Sequence, residues 1–449
     1  MAQQYPPGPA SGLLGLHLAK ALQADVIGFS RNLRDTYGDI AHFRVGPTHF
    51  YQFTHPDQIH EVFVAQAKKF HKPRRIKQIL GKWDGQGLVT SDGELWMRQR
   101  RLVQRAFQPA RMTHYAEAMS HLAWRMLDGW GGRIELNINE AFNRLTLQIV
   151  AQTLFGVELD DAVGQIKRAV DALQVLAMRD FSAIVPSPLW WNRLFDRPAY
   201  RAIKLFDDLV WKLIRERRAS GADRGDLLSI LLLAVDDEGN GQGMSDRQVR
   251  DEIVTLLMAG HETTAVTLTW TAYLLAKHPQ IQDELAEQIE RELHGRPPLL
   301  SDLPKLSRLE QVIKESMRLY PSVYFVSREA QVPVEIGGYT LPRGAQVHLL
   351  PYLAHHDERW WQDPERFDPA RFSPEQEPQI PPYAYFPFGA GPRSCVGKHF
   401  SMMETQLILA SLLQRYRWEL APRQGEVVLQ TQVSLHPQDG LWVVATKRN

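Results

Sequence analysis

The only cysteine of the chain, Cys395, lies in a segment whose residue types suit metal binding. Residues 388–397 read Phe-Gly-Ala-Gly-Pro-Arg-Ser-Cys-Val-Gly and lead from a glycine-bearing loop to the start of a predicted helix. Unpaired N–H groups and the positive dipole end at a helix start stabilise a thiolate, which can then bind a metal such as iron. Gly391 permits a tight loop, Gly397 lets a flat group approach the backbone, and Arg393 can pair with a carboxylate.

Two other interpretations of Cys395 stay open from the residues alone. A lone cysteine is most often a small buried hydrophobic side chain. A nucleophilic cysteine is the second alternative, because His399 follows one helical turn later and could act as its base. Neither alternative accounts for the glycines and the arginine around the thiol.

A second candidate site lies in the strongest predicted helix, where residues 259–264 read Ala-Gly-His-Glu-Thr-Thr. Glu262 is an acid directly beside an alcohol, Thr263. An ordinary structural role is also open, since helical threonines bond the carbonyl four residues earlier and glutamate is a good helix former. Gly260 costs about 1 kcal/mol relative to alanine and threonine back-bonding bends helices, so we expect a local opening of the helix here.

Two stripes of side chains follow the helix predicted to begin near Asp92. The first mixes apolar groups with one arginine and consists of Trp96, Arg100, Val103 and Phe107. An arginine in such a stripe is expected to meet a buried anion. The second stripe is basic and consists of Arg98, Arg101 and Arg105. Such a stripe is typical of a solvated surface.

Hydrophobic periodicity predicts a mainly helical fold with a smaller β-rich part, an α+β class. Alternating segments with glycine and proline turns place the β-rich part at about 38–55 and 321–350. Helical spacing dominates residues 92–320 and 396–416. We find no internal repeat or linker, so we expect one domain over residues 1–449.

The predicted elements give this domain a long central helix. The helix spans residues 245–277, begins with Ser245 and Gln248 in capping-box spacing, and ends before Pro279. Its apolar second half predicts a buried spine. Residues 92–233 should be nearly all helix, and glycines 337 and 338 should turn a β-hairpin.

Composition narrows the class of protein. Of 449 residues, 44% are hydrophobic and 23% charged, which is ordinary for a folded protein. Lysine and arginine number 52 against 51 acidic residues, so no global field favours nucleic acid or an anionic membrane. One cysteine fits a reducing compartment. We therefore expect a cytoplasmic protein without a signal peptide or membrane anchor.

The cysteine segment closely resembles the signature of the cytochrome P450 family, Phe-x-x-Gly-x-Arg-x-Cys-x-Gly. The resemblance implies a b-type haem whose iron is bound by Cys395, with thiolate electron donation that favours cleavage of the O–O bond. Other positions of the segment expected to contact the haem are Phe388, Gly389, Arg393 and Gly397. The motif continues through Phe400 and Glu404, with Ser401 where alanine is usual.

The central hexapeptide is similar to the family's oxygen-activation motif. The resemblance implies that Thr263 hydrogen-bonds the oxygen being activated, that Glu262 joins the proton relay, and that Ala259 lies near the haem. An opening in the helix could hold dioxygen and water. Fatty-acid peroxygenases of this fold lack the acid–alcohol pair, so the resemblance favours dioxygen with supplied electrons over hydrogen peroxide.

Two further sets of residues match family positions. Trp96 and Arg100 resemble the Trp-x-x-x-Arg helix that binds a haem propionate, and Arg328 occupies the other propionate-pairing position. A structural triad is implied for Glu315, Arg318 and Arg371, which the family uses to hold the fold. The motif around Arg371 departs from the common form because alanine stands where glutamate is usual.

The implied reaction is monooxygenation. Two electrons and two protons reduce dioxygen, one oxygen atom enters a lipophilic substrate by hydroxylation or epoxidation, and the other leaves as water. NAD(P)H would supply the electrons through a separate ferredoxin or flavodoxin with its reductase. The second arginine stripe, with Lys398, could steer such an acidic partner. We expect a monomer.

Substrate specificity is expected to reside in loops at residues 68–90 and 183–195. The candidate pocket residues are Ile79, Leu80, Leu88, Val89, Val323 and Phe325. Each could equally be ordinary core, and the apolar character suggests a fatty acid, terpenoid or polyketide only by family analogy. Trp190 and Trp191 could touch a membrane surface, but we expect this loop to pack on the protein.

Three alternatives keep the haem but change the function. A haem-binding sensor or carrier would bind the cofactor without turnover. A peroxide-driven enzyme or an isomerase of the same fold would need no electron donor.

Overall fold

A computed structural model describes residues 5–12, 14–157, 163–183, 186–233, 235, 241 and 243–448 of the chain. The α-helices are, in chain order, α1 (Leu16–Ala24), α2 (Val26–Tyr37), α3 (Pro56–His60), α4 (Arg74–Asp84), α5 (Gly93–Gln104), α6 (Pro109–Asp128), α7 (Ile138–Phe155), α8 (Val163–Ser182), α9 (Leu189–Phe195), α10 (Arg197–Ser220), α11 (Leu227–Leu233), α12 (Asp246–Lys277), α13 (Pro279–Leu293), α14 (Ser307–Leu319), α15 (Pro351–His355) and α16 (Lys398–Arg415). The strands are β1 (Ile40–Val45), β2 (Thr48–Phe53), β3 (Phe70–His71), β4 (Arg133–Asn137), β5 (Val326–Ala330), β6 (Val334–Ile336), β7 (Tyr339–Leu341), β8 (Gln346–Leu349), β9 (Tyr416–Leu420), β10 (Leu429–Thr431), β11 (Leu435–Pro437) and β12 (Trp442–Lys447).

The chain divides into two compact units. Unit 1 comprises Met1–Lys77 and Met317–Cys395, and unit 2 comprises Gln78–Ser316 and Val396–Asn449. Helices outweigh strands in the described residues, so the predicted mainly helical α+β class is confirmed.

Unit 1 is built on a sheet with the strand order β1-β2-β8-β5-β3. The predicted β-rich segment at about 38–55 contains antiparallel β1 and β2, in which Ile40 pairs with Phe53. β2 runs parallel to β8, and β8 runs antiparallel to β5. Buried side chains such as Tyr51, Val347 and Leu349 form the core against this sheet. The sheet thereby fixes β5, which carries Arg328.

The hairpin of β6 and β7 turns at the two glycines identified in the sequence. Ile336 pairs with Tyr339, which leaves Gly337 and Gly338 as a two-residue turn. Their φ angles are +56° and +82°, in the left-handed region that side chains disfavour. The predicted hairpin is therefore confirmed, and glycine is required by its turn type.

Helix α12 is the predicted spine, and it lies in unit 2. The Gln248 N–H donates to Ser245 Oγ at 3.3 Å, and the Ser245 N–H donates to Gln248 Oε1 at 3.0 Å. This reciprocal pair is the predicted capping box. The helix continues for 32 residues, is largely buried, and packs along α7.

The predicted opening of α12 at Gly260 is wrong, because the helix is continuous through this residue. A Cβ on Gly260 would lie 3.2 Å from Cγ2 of Val150, on α7. The glycine therefore allows close contact between the two helices. This contact gives a structural reason for a glycine in the middle of a helix, where it is less stable than alanine.

The prediction that residues 92–233 are nearly all helix misses β4. This strand follows Gly131 and Gly132 and pairs antiparallel with β12, where Leu136 faces Val443 and Ile134 faces Ala445. β12 also pairs with β9, and β10 forms a hairpin with β11. The strand pattern of β4 is too short to be recognised locally, and its pairing partner lies about 300 residues further along the chain.

Buried carboxylates attach residues 84–88 to α12. The Leu88 N–H donates to Glu252 Oε2 at 3.1 Å, and Thr255 donates its hydroxyl hydrogen to Asp84. A Cβ on Gly87 would lie 1.9 Å from Thr255 Oγ1, so glycine allows this close approach. These bonds position a segment that contains one predicted pocket residue, Leu88, and directly precedes another, Val89.

These carboxyl groups predict a loss of stability at alkaline pH. Burial raises the pKa of Asp84 to about 7 and that of Glu252 to about 8. Both groups hold a proton more tightly in the folded chain than in the unfolded chain. Their contribution to stability is therefore complete in acid, below the unfolded pKa values, and is lost as the pH rises through 7 and 8.

Replacing Glu252 by glutamine should weaken this pH dependence. One pKa unit corresponds to about 1.4 kcal/mol, so the wild-type free energy of unfolding should fall by a few kcal/mol between about pH 5 and pH 9. Thermal unfolding across this range should show a shallower loss for Glu252→Gln. The exposed Glu284→Gln is the matched control and should behave as wild type. An unchanged slope for Glu252→Gln would contradict the prediction.

Candidate functional site

The loop that carries Cys395 in unit 1 is closed by its own backbone hydrogen bonds. The Cys395 N–H donates to the Phe388 carbonyl at 2.9 Å, and the Ser394 N–H donates to the Gly391 carbonyl at 3.1 Å. A 3₁₀ turn, Gly391–Arg393, lies between these bonds. Cys395 is exposed, so its interpretation as a buried hydrophobic side chain is wrong.

Glycines fix this loop against the rest of unit 1. Gly389 and Gly391 have φ angles of +65° and +66°, which favour glycine. A Cβ on Gly391 would lie only 1.9 Å from the carbonyl oxygen of Phe63, in the π-helix Glu61–Ala65. A side chain here would push the loop away, so the glycine sets the position of the thiol.

Two of the predicted cofactor-binding arginines also belong to unit 1. The buried Arg328 donates from Nη1 to the Ser327 carbonyl at 3.0 Å, and its guanidinium lies 5.2 Å from the centre of the Phe63 ring. Arg393 is half-buried at the end of the 3₁₀ turn. Unit 1 therefore contains the only thiol of the chain and two of its predicted carboxylate-binding groups.

One face of α12 in unit 2 is open in the middle of a largely buried helix. Ala259 is exposed, and Thr263 is half-buried one turn later. The Thr263 hydroxyl donates to the Ala259 carbonyl at 2.8 Å, the back-bond expected of a helical threonine. A hydroxyl that donates one bond still has lone pairs that can accept others. The open face therefore presents a small side chain and an alcohol.

Glu262 lies one position before Thr263 but is held by a different element. Its Oε1 accepts from Ser434 Oγ at 2.6 Å and lies 2.9 Å from His436 Nε2. Burial by itself raises the pKa of Glu262, but the hydrogen bond and charge of His436 hold it below its usual value. Ser434 and His436 could not be predicted as partners from the sequence, because nothing local links them to an acid more than 170 positions earlier.

The first stripe of α5 brings together the predicted propionate-binding pair. The Arg100 guanidinium lies 5.7 Å from the centre of the Trp96 ring, and both residues are half-buried. Further along the stripe Val103 is buried, and Phe107 makes an edge contact with Phe400 at 5.8 Å. The mixed apolar and cationic character read from the sequence is therefore present in the structure.

Gly397, another predicted cofactor-binding residue, precedes α16 in unit 2. Its carbonyl accepts from the Ser401 N–H at 2.8 Å, and the helix begins at Lys398. The predicted helix over residues 396–416 is confirmed with slightly shorter bounds.

Two of the three residues predicted to hold the fold are fully buried. Arg318 is fully buried in unit 1, donates to the carbonyls of His355 and Arg366 at 2.8 and 3.1 Å, and lies 5.1 Å from the centre of the Trp361 ring. Glu315 is also fully buried. Arg371 is half-buried and donates to the Asp363 carbonyl at 3.0 Å.

Replacing Arg318 by lysine should destabilise the protein strongly. Lysine keeps the charge but not the planar fork that reaches two carbonyls and covers an aromatic ring. The free energy of unfolding should fall by about 3 kcal/mol, measured by chemical denaturation. Arg308→Lys on the same helix is the matched control and should cost much less. Equal stability of the two variants would contradict a fold-holding role for Arg318.

The candidate pocket residues have mixed environments. Ile79 and Leu88 of unit 2 are buried, whereas Leu80 and Val89 are half-buried. The two candidates of unit 1 are Val323, which is exposed, and Phe325, whose half-buried ring packs against His348 at 4.8 Å. Their assignment to a pocket stays a prediction.

The expectation that the tryptophan segment packs on the protein is wrong. Trp190 and Trp191 of α9 are 59% and 45% exposed, while Asn192 is the buried residue of this short helix. The apolar side chains therefore point away from the helix side that packs on the protein. Among the helices of the described residues, none is long and apolar enough to cross a membrane.

Comparison with known proteins agrees with these features. The profile of the cytochrome P450 family matches residues 6–444. Cyclooctatin synthase of Streptomyces melanosporofaciens is 35% identical over 413 residues, which cover 90% of this chain and 87% of that protein. Cyclooctat-9-en-7-ol 5-monooxygenase of the same organism is 34% identical over 399 residues, covering 87% and 84%. Pentalenene oxygenase of Streptomyces avermitilis is 32% identical over 391 residues, covering 86% and 85%.

These matches include residues of both compact units, and the mainly helical α+β architecture agrees with them. The chain therefore belongs to the cytochrome P450 family and is an oxidoreductase of the monooxygenase class.

Proposed function

We propose that this cytochrome P450 is a haem-thiolate monooxygenase that inserts one oxygen atom into a lipophilic organic substrate, using two electrons from a separate redox partner. The presentation of Cys395 carries the proposal. The only thiol of the chain is exposed on a loop. This loop is fixed by the hydrogen bond to the Phe388 carbonyl and by the close packing of Gly391 against the Phe63 carbonyl. Residues 1–449 act as one domain in this proposal, since a single family match spans residues 6–444.

The family implies a haem cofactor, and the residues present fit one. In unit 1 the Cys395 thiol suits iron, and the guanidinium groups of Arg328 and Arg393 suit carboxylates. In unit 2 Arg100 provides another such group. The exposed Ala259 is small enough for a flat group to lie against that face of α12.

The haem, when bound, supplies the iron at which dioxygen is reduced with two electrons and two protons. Cys395 would hold this iron through Sγ. Thr263 provides a hydroxyl on the open face of α12, and the Glu262 carboxylate can take up a proton and pass it toward this face. One oxygen atom enters an unactivated C–H or C=C bond of the substrate, and the other leaves as water.

The electrons come from NAD(P)H through a ferredoxin or flavodoxin and its reductase. Arg101 and Arg105 in the second stripe and the exposed Lys398 support an acidic partner of this kind. Arg98, the third arginine of this stripe, donates from Nη2 to the Gly243 carbonyl at 2.6 Å.

The names of the relatives support a lipophilic substrate. One relative is named for the monooxygenation of cyclooctat-9-en-7-ol and another for the oxygenation of pentalenene, and both names denote a compound with a C=C bond. We propose a substrate of comparable apolar character, within the fatty acid, terpenoid and polyketide classes.

Turnover under ¹⁸O₂ tests the proposed function. The haem-loaded protein is incubated with NADPH, a ferredoxin, its reductase and a panel containing pentalenene, cyclooctat-9-en-7-ol and a fatty acid. We expect a product with one ¹⁸O atom and label in water. Product with hydrogen peroxide but without the donor system would favour a peroxide-driven enzyme. Haem binding without product from any substrate or oxidant would favour a sensor or carrier.

A further inference from the structure

A polar cavity of about 300 Å³ lies in unit 2 beside α12. At its outer side are the exposed residues Asp171 and Asp439, and at its inner side are the buried His261 and Glu262. His436 also lines it. A cavity of this size and polarity can hold several water molecules, each with protein groups to bind. It therefore offers a hydrated route from the surface to Glu262.

Glu262, Ser434 and His436 form a closed triangle at the inner end of this cavity. Ser434 Oγ donates to Glu262 Oε1 at 2.6 Å, Ser434 Oγ lies 2.8 Å from His436 Nε2, and Nε2 lies 2.9 Å from the same Oε1. Ser434 and Glu262 are buried, and His436 is half-buried against the cavity. The imidazole is thus the group of the triangle nearest to water.

The acceptors around Nε2 favour a hydrogen on that nitrogen of His436. The single hydroxyl hydrogen of Ser434 is directed at Glu262, and an ionised carboxylate can only accept. If Nε2 lacked hydrogen, its lone pair would face two further acceptors. We therefore expect His436 to present an Nε2–H toward Glu262, which leaves Nδ1 as the atom that can take a proton from the cavity.

The Glu262 carboxylate lies on a different side of α12 from the open face that carries Thr263. Ala259 and Thr263 occupy one side of the helix, whereas the Glu262 carboxylate is turned toward the hairpin of β10 and β11. Burial raises the pKa of Glu262, but His436 lowers it, and the net result is a pKa below the usual value. This direction agrees with a carboxylate that is ionised before it receives a proton. Water can thus reach the acid without passing along the face that carries Thr263.

We propose that His436 is the proton-relay residue that loads Glu262 from the polar cavity, with Ser434 positioning the two groups. This inference rests on the proposed function. His436 takes a proton from cavity water at Nδ1 and releases one from Nε2 to Glu262 Oε1, which leaves a neutral imidazole and a carboxylic acid. Glu262 then gives that proton toward the Thr263 face and returns to the carboxylate, and rotation of the imidazole or tautomer exchange restores Nε2–H. No electrons move in these steps.

His436→Gln is the central variant, because glutamine can donate a hydrogen bond to Glu262 but cannot carry a proton. His436→Asn is the second variant, and the exposed His121→Gln of α6 is the matched control. We expect the product formed per NADPH to fall about tenfold in both His436 variants and the solvent isotope effect to increase. The reason is that proton transfer by a positioned group contributes about a hundredfold or more to a reaction rate. Substrate binding and the carbon monoxide band should be unchanged, and Ser434→Ala should cost less.

A readout independent of turnover is the ¹⁵N spectrum of histidine-labelled protein, in which the His436 signals are those lost in both variants. We expect neutral His436 to carry hydrogen on Nε2. A hydrogen on Nδ1 would overturn the relay alone. The relay would also be overturned if the His436 variants matched His121→Gln in coupling and isotope effect while their carbon monoxide band was normal. A wild-type protein without the thiolate band would instead overturn the proposed function.

Discussion

Replacement of Cys395 by histidine is expected to abolish the thiolate spectral signature and the monooxygenation together. Imidazole can also bind haem iron, so the variant can still hold the cofactor. What it loses is the electron-donating sulfur that favours cleavage of the O–O bond. Product formation should fall at least about a thousandfold, equivalent to ~4 kcal/mol in the barrier. Absorption spectra and product analysis of the reconstituted system measure the two effects.

Controls separate this loss from a folding defect. Cys395→Ser removes every thiol from the chain, because the sequence contains one cysteine. Both variants should keep the far-ultraviolet circular dichroism and thermal unfolding of the wild-type apoprotein, since Cys395 is exposed. A thiolate signature that survives in either variant would remove Cys395 as the iron ligand.

Thr263→Ala should uncouple electron use from product formation. The hydroxyl lies on the open face of α12, and its loss removes a hydrogen-bonding group for protons delivered there. NADPH oxidation should continue while product per NADPH falls about tenfold or more and hydrogen peroxide accumulates. Parallel assays of NADPH, product and peroxide measure this partition.

The threonines of α12 supply a positional control. The Thr267 hydroxyl makes the same type of back-bond, to the Thr263 carbonyl at 2.9 Å, but Thr267 is buried. Thr267→Ala should therefore leave coupling nearly unchanged, and Thr263→Ser should retain most of it. Unchanged coupling in Thr263→Ala would show that protons arrive through another group.

Local patterns were sufficient for the parts of the fold that local energetics decide. The capping box of Ser245 and Gln248 located the start of α12, and two adjacent glycines located the turn of the hairpin. Both signals act within a few residues, so they can be read without knowing the tertiary structure. The cysteine segment is equally local, because the bonds of Cys395 and Ser394 close the loop on itself.

Features that depend on distant partners could not be predicted in this way. β4 is a strand because β12 pairs with it, and Gly260 is needed because α7 comes close. Glu262 was recognised as an acid beside an alcohol, but its hydrogen-bond partners come from a hairpin near the end of the chain. The exposure of the α9 tryptophans could not be predicted either, because apolar residues are buried only where another surface is available to cover them.

The most direct test of the central claim is the absorption difference spectrum of the dithionite-reduced, haem-loaded protein with and without carbon monoxide. Ligation by the Cys395 thiolate predicts a strongly red-shifted Soret band. A band at the position of histidine-ligated haem, or no band in protein supplied with haem, would contradict the assignment of this chain as a haem-thiolate monooxygenase.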